Sequence, residues 1–322
     1  MATEGYNAAS PVLLIVFNRP AQSRQVLDAI REVRPGKLYV AADAPREGRA
    51  GDIKLCADTL ALFERIDWDC TVSIRVNECN LGSHTHIPSA VDWFFENEAA
   101  GIVLEDDCVP SVDFFEYCDT LLEVYKDDPA VMYVNGSNIG YPARIDGASY
   151  AFSRYSISWG WASWRRAWVH YNEVRDRVQA ITMQSAVHGA IVKRKGFWRI
   201  LYWRFNFEYA YKIRNWDYRW QLAMWLNEGL ACTPSVNLVK NVGFGIDAMH
   251  PHREDDPRGW VPFGKLFKPI VHPAMRGPDE AVDAFLERVF FRISAFSVFK
   301  LLVAAKAPWV RNSIRRLRGL AR

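Results

Sequence analysis

The chain has 322 residues, half of them apolar, with 40 basic and 37 acidic side chains for a net charge of +3. That length can bury one large core or two modest ones, and so small a net charge selects no partner by itself. No window reaches 18 consecutive apolar residues, which excludes an obvious spanning helix. In chain order, VLLIVF (12–17) predicts a buried strand, and Pro20 then opens a helix to about Val33 with Val26, Leu27 and Ile30 on one face. KLYVAAD (37–43) predicts a second strand, then a Gly-containing turn and a helix holding Leu55, Leu60, Leu62 and Phe63. CTVSIRV (70–76) is the third strand, before a helix with Val91, Phe94 and Phe95, and GIVLED (101–106) the fourth. A helix carrying Phe114, Phe115, Tyr117, Leu121, Leu122 and Tyr125 leads to the fifth, AVMYVNG (130–136). Strands separated by helices predict an α/β fold with a Rossmann-like, doubly wound, largely parallel sheet.

The fourth strand ends in three adjacent carboxylates, Glu105, Asp106 and Asp107. Like charges repel, and carboxylates are seldom buried without a partner or a metal, so a solvated loop is the plain alternative. In doubly wound sheets, however, ligands gather beyond the carboxyl ends of the strands. Arg19 in NRP and Asp43 in AADAPREG fall at two other such ends, which favours a ligand site. Carboxylate oxygens suit a hard cation, Mg²⁺ or Mn²⁺, held by one or two carboxylates with substrate phosphates and water. There is no GxxxxGK[ST] loop, and GFG at 243–245 is too short for a dinucleotide fingerprint. The six cysteines show no zinc spacing, so a reduced, intracellular chain is expected.

The strand VLLIVFNRP, the turn AADAPREG, NLGSHTHIPSAVDWFF, IVLEDDCVPSVDFFEYC and the Trp-rich block SWGWASWRRAW together resemble glycosyltransferases of the GT-A fold. The chain is most similar to bacterial family-2-like transferases. It also resembles the N-acetylglucosaminyltransferase type I group, in which a Glu-Asp-Asp triplet precedes a similar Phe-Phe-Glu-Tyr helix. The resemblance covers roughly residues 11 to 250. It implies a hexosyl- or N-acetylhexosaminyltransferase using a nucleotide-sugar donor, UDP-linked, with Mn²⁺ or Mg²⁺, and inversion at the sugar.

Carried over by residue, the resemblance implies that Arg19 and Asp43 contact the nucleotide, Asp43 at the base or ribose. His86 would lie near the diphosphate, with a helix-capping or surface histidine as the alternative. Asp107 would bind the metal, while Glu105 and Asp106 hold the ribose and donor sugar. His250, in GIDAMH, would reach the metal or diphosphate, or else lie on a surface loop. An inverting transfer needs a general base on the acceptor hydroxyl. Asp217 in NWDYRW is the choice implied, with Glu208, Asp176 and Glu173 as competitors. Alternatively, Asp217 caps the helix running to about Glu228.

Trp161, Trp164 and Trp168 fall at i, i+3 and i+7, which predicts the core face of a helix. Trp159 and Gly160 are expected just before it, Trp159 as the floor of a sugar pocket and Gly160 for close approach of backbone or sugar. One domain is expected over residues 10–275, followed by a helical, basic tail over 276–322. Nine of the 40 basic residues and none of the acidic ones lie after Glu287. The segment 192–216 likewise holds seven Lys or Arg against one Glu. Such mixtures of aromatic and basic residues suit single-stranded nucleic acid or an anionic bilayer. With no nucleic-acid fold signature beside them, the membrane is preferred and no nucleic-acid partner is expected. The opening MATEGYNAAS is unlike a secretory leader. The expected protein is therefore cytoplasmic and peripheral on the inner face of the plasma membrane, with a glycan or lipid-linked acceptor. Two rivals stand beside it. A sugar-phosphate nucleotidylyltransferase normally carries a Gly-rich N-terminal signature that VLLIVFNRPAQSRQ lacks, and a non-catalytic nucleotide-sugar or glycan-binding module would not need the intact triplet.

Overall fold

The computed structural model describes residues 6–141, 147–182, 196–213, 215–243 and 261–306, with the side chains of 176–182, 208–213 and 302–306 outside the description. Strands β1 (Val12–Val16), β2 (Lys37–Ala42), β3 (Thr71–Val76) and β4 (Ala100–Glu105) alternate with helices α1 (Pro20–Val33), α2 (Ala50–Leu60) and α3 (Ser83–Asn97). β5 (Cys108–Pro110), α4 (Val112–Val124), β6 (Val131–Asn135), β7 (Tyr150–Ser153) and β8 (Trp161–Trp164) follow. The chain continues through α5 (Arg165–Thr182), α6 (Phe197–Ile213), α7 (Trp216–Leu226), β9 (Leu230–Pro234), β10 (Val239–Asn241), α8 (Glu280–Val289) and α9 (Ala295–Lys306).

Eight strands form one sheet in the order β3-β2-β1-β4-β8-β6-β9-β7, and β5 pairs with β10 in a small antiparallel ladder. β1 runs parallel to β2 and β4, β2 parallel to β3, and β6 parallel to β9. β8 is antiparallel to both β4 and β6, and β7 to β9. The central sheet is thus mostly parallel, with two reversed strands. Because side chains alternate across a strand, Leu13 and Ile15 of β1 enter one core layer and Val12, Leu14 and Val16 the other. The first layer is closed by α3, α5, α6 and α7, the second by α1 and α4. Apolar runs without alternation predict such strands, buried on both faces.

Two expectations change here. Trp161 and Trp164 lie on β8 rather than on a helix, and the helix begins only at Arg165. Positions i and i+3 of a strand face opposite ways, so Trp161 packs in one layer and Trp164 in the other. Trp168 does lie on a helix, stacked on Tyr171 with ring centroids 4.3 Å apart.

The expected division at 275/276 does not separate the packing either. Helix α8 buries Val282 and Leu286. Its Asp283 accepts from Ser153 Oγ at 2.7 Å and Arg154 Nη1 at 2.9 Å, and Glu287 accepts from Tyr155 and Arg199. Phe291 then packs edge-to-face on Trp203 with centroids 4.8 Å apart. Residues 280–291 therefore complete the core under β7 and α6. The basic residues from 307 onward lie outside the described residues.

Candidate active site at the carboxyl rim of the sheet

Strand register brings the first group of candidate residues together. Ile15 pairs with Glu105, Val16 pairs with Ala42, and the Asp43 amide donates to Val16 O at 3.2 Å. Residues 17–19, 43 and 105–107 therefore leave neighbouring parallel strands at one rim. Arg19 sits at the N-cap of α1, whose next turn is preset by Pro20. Its Nη1 donates to Asp107 Oδ2 at 2.8 Å and to Asp106 Oδ1 at 3.3 Å. The Phe17 amide donates to the other oxygen of Asp106 at 3.3 Å. On its far side Asp107 is held by the β5–β10 ladder. The Val242 amide donates to Asp107 O at 2.7 Å, and a β-carbon added at Gly243 would collide with the Asp107 carboxylate.

Three carboxylates against one guanidinium leave excess negative charge. Burial pushes Glu105 up from the usual carboxylate range, with the charges of Asp107, Asp106 and Asp217 adding to it. Burial also raises Asp106, followed by Asp107, while Arg19 opposes the shift. Among the described residues no three His, Cys, Asp or Glu side chains converge as a protein-made metal cage. The hard oxygen donors of the triplet fit the other mode of holding Mg²⁺ or Mn²⁺, in which one carboxylate is completed by substrate phosphates and water.

Asp43 is placed differently from a free nucleotide ligand. It is buried, and its carboxylate accepts from the Ala44, Leu81 and Gly82 amides and from Asn77 and Asn80 Nδ2, at 2.9 to 3.1 Å. The four bonds from residues 77 to 82 tie the β3–α3 loop to the end of β2. His86 is neither a surface nor a capping histidine. It is 4% exposed on α3, its Nδ1 lies 2.9 Å from Asn77 Nδ2, and burial lowers its pKa from the usual range. Its Nε2 is buried without a hydrogen-bond partner. Sequence reasoning missed a second clamp, in which Asp52 accepts from Asn18 Nδ2 at 2.8 Å and pairs with Arg46 at 2.6 Å. The Arg46 hydrogen bond lowers Asp52 to about 2. The cue available was AADAPREG followed by an acidic residue in the first helical turn.

Asp217 lies in the first turn of α7, behind an N-cap at Asn215, so the capping position itself belongs to its neighbour. Its Oδ1 accepts from the Tyr218 amide at 2.8 Å, and burial raises it to about 6. It lines a cavity of about 140 Å³ with Trp216, Tyr218, Ser156, Ser158 and Gln221, closed by Phe290 and Phe291. The loop over this cavity is fixed from below. Buried Asn135, at the end of β6, accepts from the Ile157 amide at 2.7 Å and donates to Tyr155 O at 3.0 Å. Gln221 Oε1 takes the Ser156 amide at 3.0 Å. Trp159 does not line the cavity but packs edge-to-face on Phe290, centroids 5.8 Å apart. Among the competing bases, Glu173 is exposed on α5 beside His170. The side chains of Asp176 and Glu208, and all of His250, lie outside the described residues.

No family model matches the sequence, and no curated protein matches it. Among solved structures the chain is similar to HddC from Yersinia pseudotuberculosis at 9% identity, over 48% of this chain and 77% of that one, with a TM-score of 0.30. A likeness that slight has no bearing on activity, so what the rim and the cavity can do rests on their own chemistry.

Proposed function

We propose that the chain is a metal-dependent GT-A-fold glycosyltransferase that moves a sugar from a UDP-linked donor to a glycan or lipid-linked acceptor, with inversion. The observation that carries this reading is a juxtaposition. Trp161 of β8 pairs with Val103 of β4 and with Asn135 of β6, so the loop entering β8, which lines the Asp217 cavity with Ser156 and Ser158, reaches the same rim as Arg19, Asp106 and Asp107. Donor diphosphate chemistry suits the rim, and a hydroxyl-bearing ring suits a cavity of aromatic faces with Asp217 and two serines. The β1–α1 turn, Phe17-Asn18-Arg19, has no glycine, which favours transfer over nucleotidylyl chemistry.

In this reading Asp107 holds the metal together with the diphosphate, and the bound ion would neutralise charge developing on the leaving phosphate. Arg19 turns to a phosphate oxygen, and Glu105 and Asp106 orient ribose and sugar hydroxyls. Asp217, ionised above about pH 6, accepts the acceptor hydroxyl proton as that oxygen bonds to the anomeric carbon and the phosphate oxygen departs. Asp43 and His86 serve by holding the β3–α3 loop that borders the nucleotide. The aromatic, basic C-terminus supports a place on an anionic membrane: Phe296 and Phe299 are 66% and 60% exposed, with Lys300 Nζ 4.2 Å from the Phe296 ring. No helix of the described residues is long and apolar enough to cross one.

A panel of nucleotide-sugars tested for Mn²⁺-dependent thermal stabilisation and for slow release of UDP checks the proposal. At least one UDP-sugar should do both; no stabilisation by any nucleotide-sugar with metal would reject it.

A further inference from the structure

Both carboxylate oxygens of Asp107 already have partners within the chain. Oδ2 takes the Arg19 guanidinium at 2.8 Å, and Oδ1 lies 3.4 Å from Cys108 Sγ. The Arg19 main chain is anchored and its side chain is largely enclosed. Its carbonyl accepts the Ser23 amide at 2.9 Å, the preceding Asn18 is tied to Asp52, and its side chain is only 17% exposed. A dication approaching Asp107 therefore meets a guanidinium already bound to one of its two carboxylate oxygens. Two cations sharing one carboxylate repel strongly where solvent is scarce. A nucleoside diphosphate changes the balance, because its phosphate oxygens can receive the guanidinium and complete the ion's shell together.

We propose that Arg19 guards Asp107, so that a divalent cation binds only together with a nucleoside diphosphate. The proposal rests on the metal-dependent transferase reading. Thermodynamic linkage makes the effect reciprocal: each ligand tightens the other by the same factor, on the order of 10- to 100-fold. Arg19 would then set the order of assembly as well as touch the donor.

The test is Mn²⁺ titration followed by electron paramagnetic resonance of the free ion, with and without UDP. It uses the full chain, Arg19→Gln, Arg19→Lys and Asp107→Ala, each checked for folding by thermal melting. The wild type should bind Mn²⁺ weakly alone and about 10-fold or more tightly with UDP. Arg19→Gln should bind Mn²⁺ without UDP about 10-fold or more tighter than the wild type, and the effect of UDP should shrink. Arg19→Lys keeps the charge and should stay weak without UDP. If Arg19→Gln does not fold, Arg19→Met supplies the same neutral test. Equal Mn²⁺ binding by wild type and neutral variant without UDP, with Asp107→Ala still abolishing the UDP-dependent site, overturns the guard and leaves the metal site standing. No Mn²⁺ binding by any protein even with UDP overturns the guard and the transferase reading together.

Discussion

At the scale of single residues, the site is a contest between carboxylates with too few cations. Asp107→Ala should abolish Mn²⁺-dependent binding of UDP, read by calorimetry. The variant loses one bond to Arg19 but relieves the repulsion felt by Glu105 and Asp106. Arg19 keeps its bond to Asp106, so the variant should still fold, which thermal melting checks. Unchanged UDP affinity would remove Asp107 from the metal. Asp217→Asn keeps shape while removing a base, so transfer should fall about 10²-fold or more with donor binding preserved. The pH dependence has a definite sign. Asp217 is raised in the folded chain from 3.8 to about 6, so the native state binds more protons across that window. Its contribution to stability is therefore present at low pH and lost as pH rises through about 6, whereas transfer gains over the same range. Denaturant melts from pH 4 to 7 should fall less steeply with pH in Asp217→Asn than in the wild type. Equal slopes would mean that the carboxyl is not perturbed.

At the scale of elements, legibility followed the length of each apolar run. β1, β2, β3, β4 and β6, and the helices between them, stand in the sequence because each strand is a run bounded by a turn or a helix signal. The same pattern located the rim, since the carboxyl ends of parallel strands follow from strand order. β8 was illegible for a physical reason. A strand buried on both faces shows no alternation, and tryptophans at 161, 164 and 168 satisfy a helical spacing by accident. The Asp217 cavity was legible only as one residue, because its walls come from β6, a loop, α6, α7 and the segment after α8. Gly160 was read as permitting close approach by backbone or sugar, and the approach is by the chain itself. Its φ is +61°, its carbonyl accepts the Gly136 amide at 2.8 Å, and an added β-carbon would press on Val239 at 2.9 Å. Gly160→Ala should therefore cost about 1–3 kcal/mol in chemical denaturation, through strain and crowding together. A cost below about 0.5 kcal/mol would show that the β4–β8 rim adapts freely.

At the scale of the whole molecule, the C-terminal region divides into two parts with different physics. Residues 280–291 belong to the core: removing them would expose the bed of Val282 and Leu286 and strand Arg154 and Arg199 without Asp283 and Glu287. A chain stopped at residue 279 should be insoluble or molten for that reason, whatever its membrane behaviour. Beyond Lys306 the sequence still holds Arg311, Arg315, Arg316, Arg318 and Arg322, five of the nine terminal cations, and no acid. Their mutual repulsion is relieved at an anionic surface, where each cation contributes about 1 kcal/mol. A chain stopped at Lys306 should keep its melting temperature and its turnover of a small soluble acceptor. It should lose about 10²-fold or more in affinity for phosphatidylserine vesicles, measured by sedimentation. Binding by the full chain should weaken steadily with salt, because the attraction is screened within about 10 Å at 0.1 M. Phe296 and Phe299 remain in the shortened chain, half or more exposed on α9, together with Arg288, Arg292, Lys300 and Lys306, and should leave weak binding that is less sensitive to salt than that of the full chain. If the Lys306 truncation binds vesicles as well as the full chain, these aromatics rather than the cations hold the membrane, and Phe296→Ser with Phe299→Ser should then release it.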